Sequence, residues 1–190
     1  MTHPIFKEAR LLEEAFFRKR DAALLGEINK REAIQTRKNT LAKVSGIKDE
    51  KVLGQLIEHD IHAETLAAFS LVPLIEVAWA DGDIPPAERK VLLHAMEEAG
   101  IQRDSVAYQI MEQWMERRPE PKLMKLWKNY TQALMGELTP EAQKLIRQTV
   151  LEHARAVAEA AGGFLGFGRV SNEENAVLLT LEEAFRIERK

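Results

Sequence analysis

A chain of 190 residues, 45% hydrophobic and 30% charged, has the apolar mass for a real core and the balance of an ordinary globular protein. It contains no cysteine, which excludes disulfides, thiolate catalysis and cysteine-based zinc or iron–sulfur sites. Net charge is −3 but uneven: residues 1–43 hold ten Lys/Arg against six Asp/Glu, giving +4 there and −7 in the remainder.

Nucleic-acid binding calls for a dense basic stripe on a basic domain, and the sequence has neither. Lys7, Glu8 and Arg10 stand where a secretory signal needs an apolar run. The most apolar stretch, residues 66–80, is interrupted by Pro73 and Glu76, so it falls short of the roughly 18–20 uncharged residues of a membrane span. The expectation is a cytoplasmic protein with no membrane span.

In chain order, Ile5, Ala9, Leu12, Phe16 and Ala23 fall three, four or seven apart and predict an amphipathic helix. Leu24, Leu25, Ile28, Ile34 and Leu41 continue it, with Gly26 the one weak point and no proline from Ile5 to Val44. One long helix, or two in line, should end at Ser45-Gly46-Ile47, with Gly46 left-handed and Ile47 folded back onto the last turn. Asp49 then caps a helix carrying Val52, Leu53, Leu56 and Ile57. A break falls at residues 59–62. Residues 63–80 read as a central buried helix, apolar nearly all round and kinked at Pro73.

Residues 86–99 form the next helix, ending at Ala99-Gly100-Ile101 like the first. Asp104 caps a helix with Val106, Ile110, Met111 and Trp114, and Pro119-Glu120-Pro121 stops it. Residues 123–135 follow, with Leu126, Trp127, Tyr130 and Leu134 on the apolar side. Thr139-Pro140 opens a helix to about Ala161, residues 162–168 connect, and residues 171–189 are the last helix. No segment alternates like a strand. The fold class is all-α: a compact bundle of about seven to eight helices, with residues 1–46 as an N-terminal helical arm and 47–190 as the main domain.

The acidic residues gather with geometric purpose at one corner, Asp81-Gly82-Asp83, followed by Pro85-Pro86 and Glu88 in the first turn of the next helix. An offset of 86 repeats it. Gly82, Ile84, Glu88 and Val91-Leu92-Leu93 fall on Gly168, Val170, Glu174 and Val177-Leu178-Leu179. Ser171-x-x-Glu174 is a complete capping box. In the first copy Pro85 has neither hydroxyl nor N–H, so Glu88 is left free for the helix dipole, a loop amide or a cation. Phe167 and Arg169 stand where the first copy has Asp81 and Asp83. The second copy reads as structural, and the first keeps an acidic cluster.

The Ala80-Asp81-Gly82-Asp83-Ile84 run with Glu88, followed later by the Val170-Ser171-x-x-Glu174 helix start, resembles the TerB-like family of tellurite-resistance proteins over roughly residues 60–190. The resemblance implies a compact helical fold, an acidic surface that binds metal ions, and a place in bacterial stress-response systems, with no enzymatic activity. Pro85 departs from the small hydroxyl or acidic residue usual there, and the second glycine-rich loop lacks acids.

Asp81, Asp83 and Glu88 are the candidate metal ligands, offering oxygen to Ca²⁺ or Mg²⁺, although their spacing is not that of an EF-hand. The plain alternative is a helix corner whose acids favour the next N-terminus. His59 and His62 share a face only if their helix is unbroken. His94 pairs with Glu97 or Glu98, and His153 carries no further signal. Residues 162–168 have the wrong glycine order and setting for a phosphate loop, and Phe164, Leu165 and Phe167 read as core plugs. Trp79, Trp114 and Trp127 read as core anchors. Ser70, Ser105 and Ser171 have no histidine nearby in sequence. Three functions follow. The first is a non-enzymatic module binding a divalent cation or partner at the acidic corner. The second is an interaction scaffold, docking a protein partner or a second copy through the arm (including Phe16-Phe17) without metal. The weakest is a metal-dependent hydrolase, for which no base or nucleophile is visible.

Overall fold

The computed structural model describes the backbone of residues 4–161 and 170–186, with side chains there except those of residues 4–17, Asp21 and Ala161. The connector at residues 162–168, with Phe164, Leu165 and Phe167, and the side chains of Phe16 and Phe17 lie outside the described residues. The described chain forms nine helices and no strand: α1 (Pro4–Ser45), α2 (Glu50–Glu58), α3 (Leu66–Ser70), α4 (Val72–Ala78), α5 (Pro86–Glu98), α6 (Val106–Glu116), α7 (Pro121–Glu137), α8 (Pro140–Ala161) and α9 (Asn172–Ala184). The all-α bundle is what the periodicity predicts. None of these helices is long and apolar enough to cross a membrane.

α1 is unbroken through Gly26. A glycine inside a helix costs roughly 0.5–1 kcal/mol relative to alanine, too little to interrupt 42 residues. Its stop is the expected one. Gly46 has φ of 74°, its N–H donates to Ala42 O at 3.0 Å, and Ile47 is buried against the last turn. Asp49 caps α2 by accepting the N–H groups of Lys51 and Val52.

The predicted helix over residues 63–80 is instead two, separated at Leu71. Pro73 explains the division. It has no N–H for Phe69 O, and its ring would crowd that carbonyl, so the first helix must end upstream. Within α4, Pro73 sits in the first turn, where its missing donor costs nothing. Every residue of α4 is buried, including Glu76, whose carboxylate accepts a charged hydrogen bond from Arg118 Nη2 at 3.2 Å. α4 is the hub, touching α3, α5, α7, α8 and α9.

The break expected at residues 59–62 is a turn, with Asp60 at φ of 58°, and it runs on to residue 65, so the next helix starts at Leu66 rather than Ala63. Two further boundaries differ. Ser105, not Asp104, caps α6 by accepting Tyr108 N–H at 3.1 Å. α9 ends at Ala184 rather than near Arg189, and Phe185 turns in to meet Trp127 edge-on at 5.8 Å. That contact closes the bundle around the last helix.

The 86-residue echo is architectural. Pro86–Glu98 and Asn172–Ala184 are offset by that number at both ends. Leu92 and Leu178 are buried at equivalent positions, as are Ala95 and Leu181. Each helix follows another against which it packs, α4–α5 and α8–α9, and the two pairs pack on each other through α4 with α8 and α9 and through α5 with α8. The remaining elements form a shell: α2 lies on α7, α3 on α6, and α1 on α2.

Candidate functional site: an acidic corner between two hairpins

The chain leaves α4 at Trp79, whose indole N–H donates to Trp114 O at 2.8 Å and ties the corner to the end of α6. Gly82 has φ of 101°, a conformation side chains rarely take, and its N–H donates to Trp79 O at 3.1 Å. Asp81 and Asp83 flank it, both exposed. Pro85 then takes the N-cap position of α5 with φ −67° and ψ 159°. Ser171 takes the same position of α9 with φ −65° and ψ 166°. The two caps are nearly superposable in backbone and opposite in chemistry.

At Ser171 the box is closed. The hydroxyl oxygen accepts Glu174 N–H at 3.1 Å, and Glu174 Oε2 accepts Ser171 N–H at 2.6 Å. The Ser171 hydroxyl also donates to Asp81 Oδ1 at 2.8 Å, so the second hairpin grips the acidic corner of the first. At Pro85 there is no donor and no hydroxyl. Glu88 sits three residues into α5, as Glu174 does in α9, and only 3% of it is exposed. Its Oε2 has no hydrogen-bond partner among the described residues. Loss of water pushes the Glu88 carboxyl up to about 8, helped by the negative charges of Glu174, Asp81 and Asp83. At neutral pH Glu88 therefore holds its proton most of the time.

Sequence reasoning found Asp81, Asp83 and Glu88 and missed what completes the corner. Glu174, buried to 2% exposure, is the strongest neighbouring charge on Glu88, and Ser171 is bonded to Asp81. The signal was the echo itself: equivalent positions of two packed hairpins meet where the hairpins meet. No Lys, Arg or His among the described residues forms an ion pair with any of these four carboxylates.

The donor set, all carboxyl oxygen with one buried atom unsatisfied, suits a hard cation in chemistry once Glu88 gives up its proton. Its placement is another matter. Among the described residues no three His, Asp or Glu side chains stand so as to hold a metal ion. A common ion would need the exposed Asp81 and Asp83 side chains to turn inward toward Glu88.

The other candidates resolve into structure. His59 Nδ1 lies 3.0 Å from Gln55 O and His62 Nδ1 2.7 Å from Asp60 O; with their helix broken, the two imidazoles share no helical face. His94 Nε2 is 3.5 Å from Glu98 Oε1, while Glu97 reaches Arg103. His153, silent in sequence, brings Nε2 to 3.1 Å from Glu98 Oε2, so one carboxylate links two imidazoles across α5 and α8. Trp127 is core, Trp79 and Trp114 half-buried beside it. Ser70 donates to Ala67 O, and Ser105 and Ser171 are caps. None of the three hydroxyls bonds a histidine among the described residues.

No family model, curated protein or solved structure matches this chain.

Proposed function

We propose that the protein is a non-enzymatic helical module of the TerB-like type whose acidic corner binds a cationic ligand, a hard divalent cation such as Ca²⁺ or Mg²⁺ first among them, in a bacterial stress-response setting. One observation carries the reading. Glu88 is a buried carboxyl with an unsatisfied oxygen beside Asp81, Asp83 and Glu174, and no cation of the described chain neutralises them. Native proteins leave few such groups unmet without a use for them. Asp81, Asp83 and Glu88 would hold the ion, with Ser171 keeping Asp81 in place.

Calorimetry with Ca²⁺, Mg²⁺, Mn²⁺ and Zn²⁺ tests it. Wild type should give heat with at least one ion, and Asp81→Ala/Asp83→Ala should abolish it while keeping the fold. Silence for every ion in the wild type removes the ion from the reading.

A second reading, a scaffold that works through the arm without metal, is supported by Leu24, Leu25, Ile28 and Ile34, which lie exposed along α1.

A further inference from the structure

α1 has a body side and a water side. On the body side, Leu41 is buried, and Lys30, Ile34 and Arg37 line a groove with Ile57 and Glu58 of α2. Arg37 also faces Asp60 and Glu64 across a second groove. At about 100° per residue, Leu24 lies roughly 120° round the helix from Lys30 and Ile28 roughly 160°, so both point away from the body. Leu24, Leu25 and Ile28 are exposed there.

That outer face has a pattern of its own. Positions 17, 21, 24, 28, 31 and 35 (Phe, Asp, Leu, Ile, Arg and Gln) are spaced four, three, four, three, four. This is the repeat with which one helix presents a continuous seam to another. The helix runs unbroken through all six positions. The spacing also reads the same in both directions: 17 with 35, 21 with 31 and 24 with 28 are each centred on residue 26. Laid antiparallel on a second copy, the seam sets Leu24 against the partner's Ile28 and position 21, an aspartate, against the partner's Arg31. Two-fold symmetry makes each contact twice.

We propose that α1 is a homodimerisation helix, pairing antiparallel with α1 of a second copy through this seam. The proposal rests on the second reading above, in which the arm is the docking surface, and it names the occupant. Charge chooses the direction. A parallel pair in register would set aspartate on aspartate at position 21 and arginine on arginine at position 31. A parallel pair staggered to match them would leave unmatched ends and grow as a chain. Antiparallel pairing satisfies both charges and closes. Arg31 is available for it: the side chain is 83% exposed and meets Glu27 of its own helix only at 3.9 Å. On the rims of the seam, Leu25 meets its own copy, and so does Glu27, whose repulsion the neighbouring Arg31 offsets. Lys30 and Arg37, on the far side, keep their grooves with the carboxylates of their own chain.

Sedimentation of the full chain over a concentration series tests this, with circular dichroism confirming the fold of each variant. Wild type should dimerise. Leu24→Glu/Ile28→Glu, which sets glutamate against glutamate across the seam, should be monomeric. Asp21→Arg alone and Arg31→Asp alone each turn two attractions into two repulsions and should weaken the dimer by roughly tenfold or more. Both substitutions in one chain should restore most of it. The chain has no cysteine, so direction can be read by cross-linking. In the antiparallel pair position 21 faces position 31, while the two copies of position 21 are about 15 Å apart, beyond the reach of a disulfide. Oxidising a mixture of Asp21→Cys and Arg31→Cys chains should therefore link unlike chains, and either variant alone should stay unlinked. A monomeric wild type overturns the proposal, as does a double charge variant no better than the singles. A dimer in which Asp21→Cys links like to like overturns the antiparallel pairing and leaves the arm as the docking surface. A dimer unaffected by Leu24→Glu/Ile28→Glu overturns both the proposal and the reading of this face as a docking surface. A monomer whose seam is protected from amide exchange only by anionic phospholipid vesicles gives the face to a membrane and overturns the proposal too.

Discussion

Glu88 is displaced far from its ordinary acidity, and its behaviour with pH follows from its burial. Its carboxyl is pushed up to about 8 from an ordinary 4.5, so the folded chain holds this proton more tightly than the unfolded chain does. Such a group adds to stability below its unfolded value, and that contribution is lost as pH rises through the folded value, here between about 4.5 and 8. We therefore expect wild type to lose stability relative to Glu88→Gln on going from pH 5 to pH 8, by at most a few kcal/mol. Chemical denaturation of both proteins across that range is the check, and parallel stability profiles would show that Glu88 is not strained. Much of this residue was readable in advance. Pro85 lacks the N–H and hydroxyl that would satisfy a glutamate three positions on, and that fact is local. The contribution of Glu174 was not readable, because it depends on two segments 86 residues apart meeting in space. His153 was silent for the same reason: its partner Glu98 is one helix away in space and 55 positions away in sequence.

Elements were legible where a backbone signal fixes them and elusive where several signals compete. Gly46 and Gly100 stop their helices as the sequence says, because a positive φ is nearly exclusive to glycine. The Asp104–Ser105 pair offers two capping residues in a row, and Ser105 takes the role because its Oγ reaches the Tyr108 N–H. Pro73 was read as a kink but acts as a start, since its missing donor is harmless only in a first turn. The pairing of α5 with α9 turns this logic into a prediction. Pro85 and Ser171 share backbone angles, so Pro85→Ser can be accommodated without strain. The new N–H should donate to the unpartnered Glu88 oxygen, and the new hydroxyl should accept the Glu88 N–H, reproducing the box seen at Ser171. A good cap and the rescue of a buried polar atom each contribute about 1 kcal/mol or more, while losing proline costs roughly 0.4–1 kcal/mol through the unfolded chain. The net expectation is a gain of about 1 kcal/mol in denaturant titration at neutral pH, with the pH sensitivity described above reduced. A loss of stability would mean that Glu88 is not an unfulfilled capping residue. The Trp79 contact makes a companion case: Trp79→Phe keeps an apolar ring but leaves Trp114 O without its donor, at a cost of about 1 kcal/mol.

At the scale of the whole molecule, the described residues divide into a packed body and a stretch of α1 that borrows little from it. Leu41 is the first described residue of α1 in the buried core, and Ile34 is only in part covered; between residues 18 and 37 the helix has solvent on its described side chains. An isolated helix gets little help from nucleation or packing, so this stretch should open locally at far lower cost than α4. The sequence marked the arm by its charge, but its periodicity suggested a face to be buried. Periodicity reports which residues would pack, not whether a surface in the same chain is there to receive them. Gly26 separates arm from body experimentally. A methyl group placed there meets nothing within 4 Å, so Gly26→Ala acts through helix propensity alone, worth about 1 kcal/mol. Because the arm opens independently, that gain should stay local. Amide exchange around Gly26 should slow by roughly fivefold, while the thermal midpoint of the body and exchange in α4 and α8 stay as in wild type. A rise in the midpoint of several degrees would mean that the arm melts together with the body, and residues 18–37 would then have to be held by more than α2.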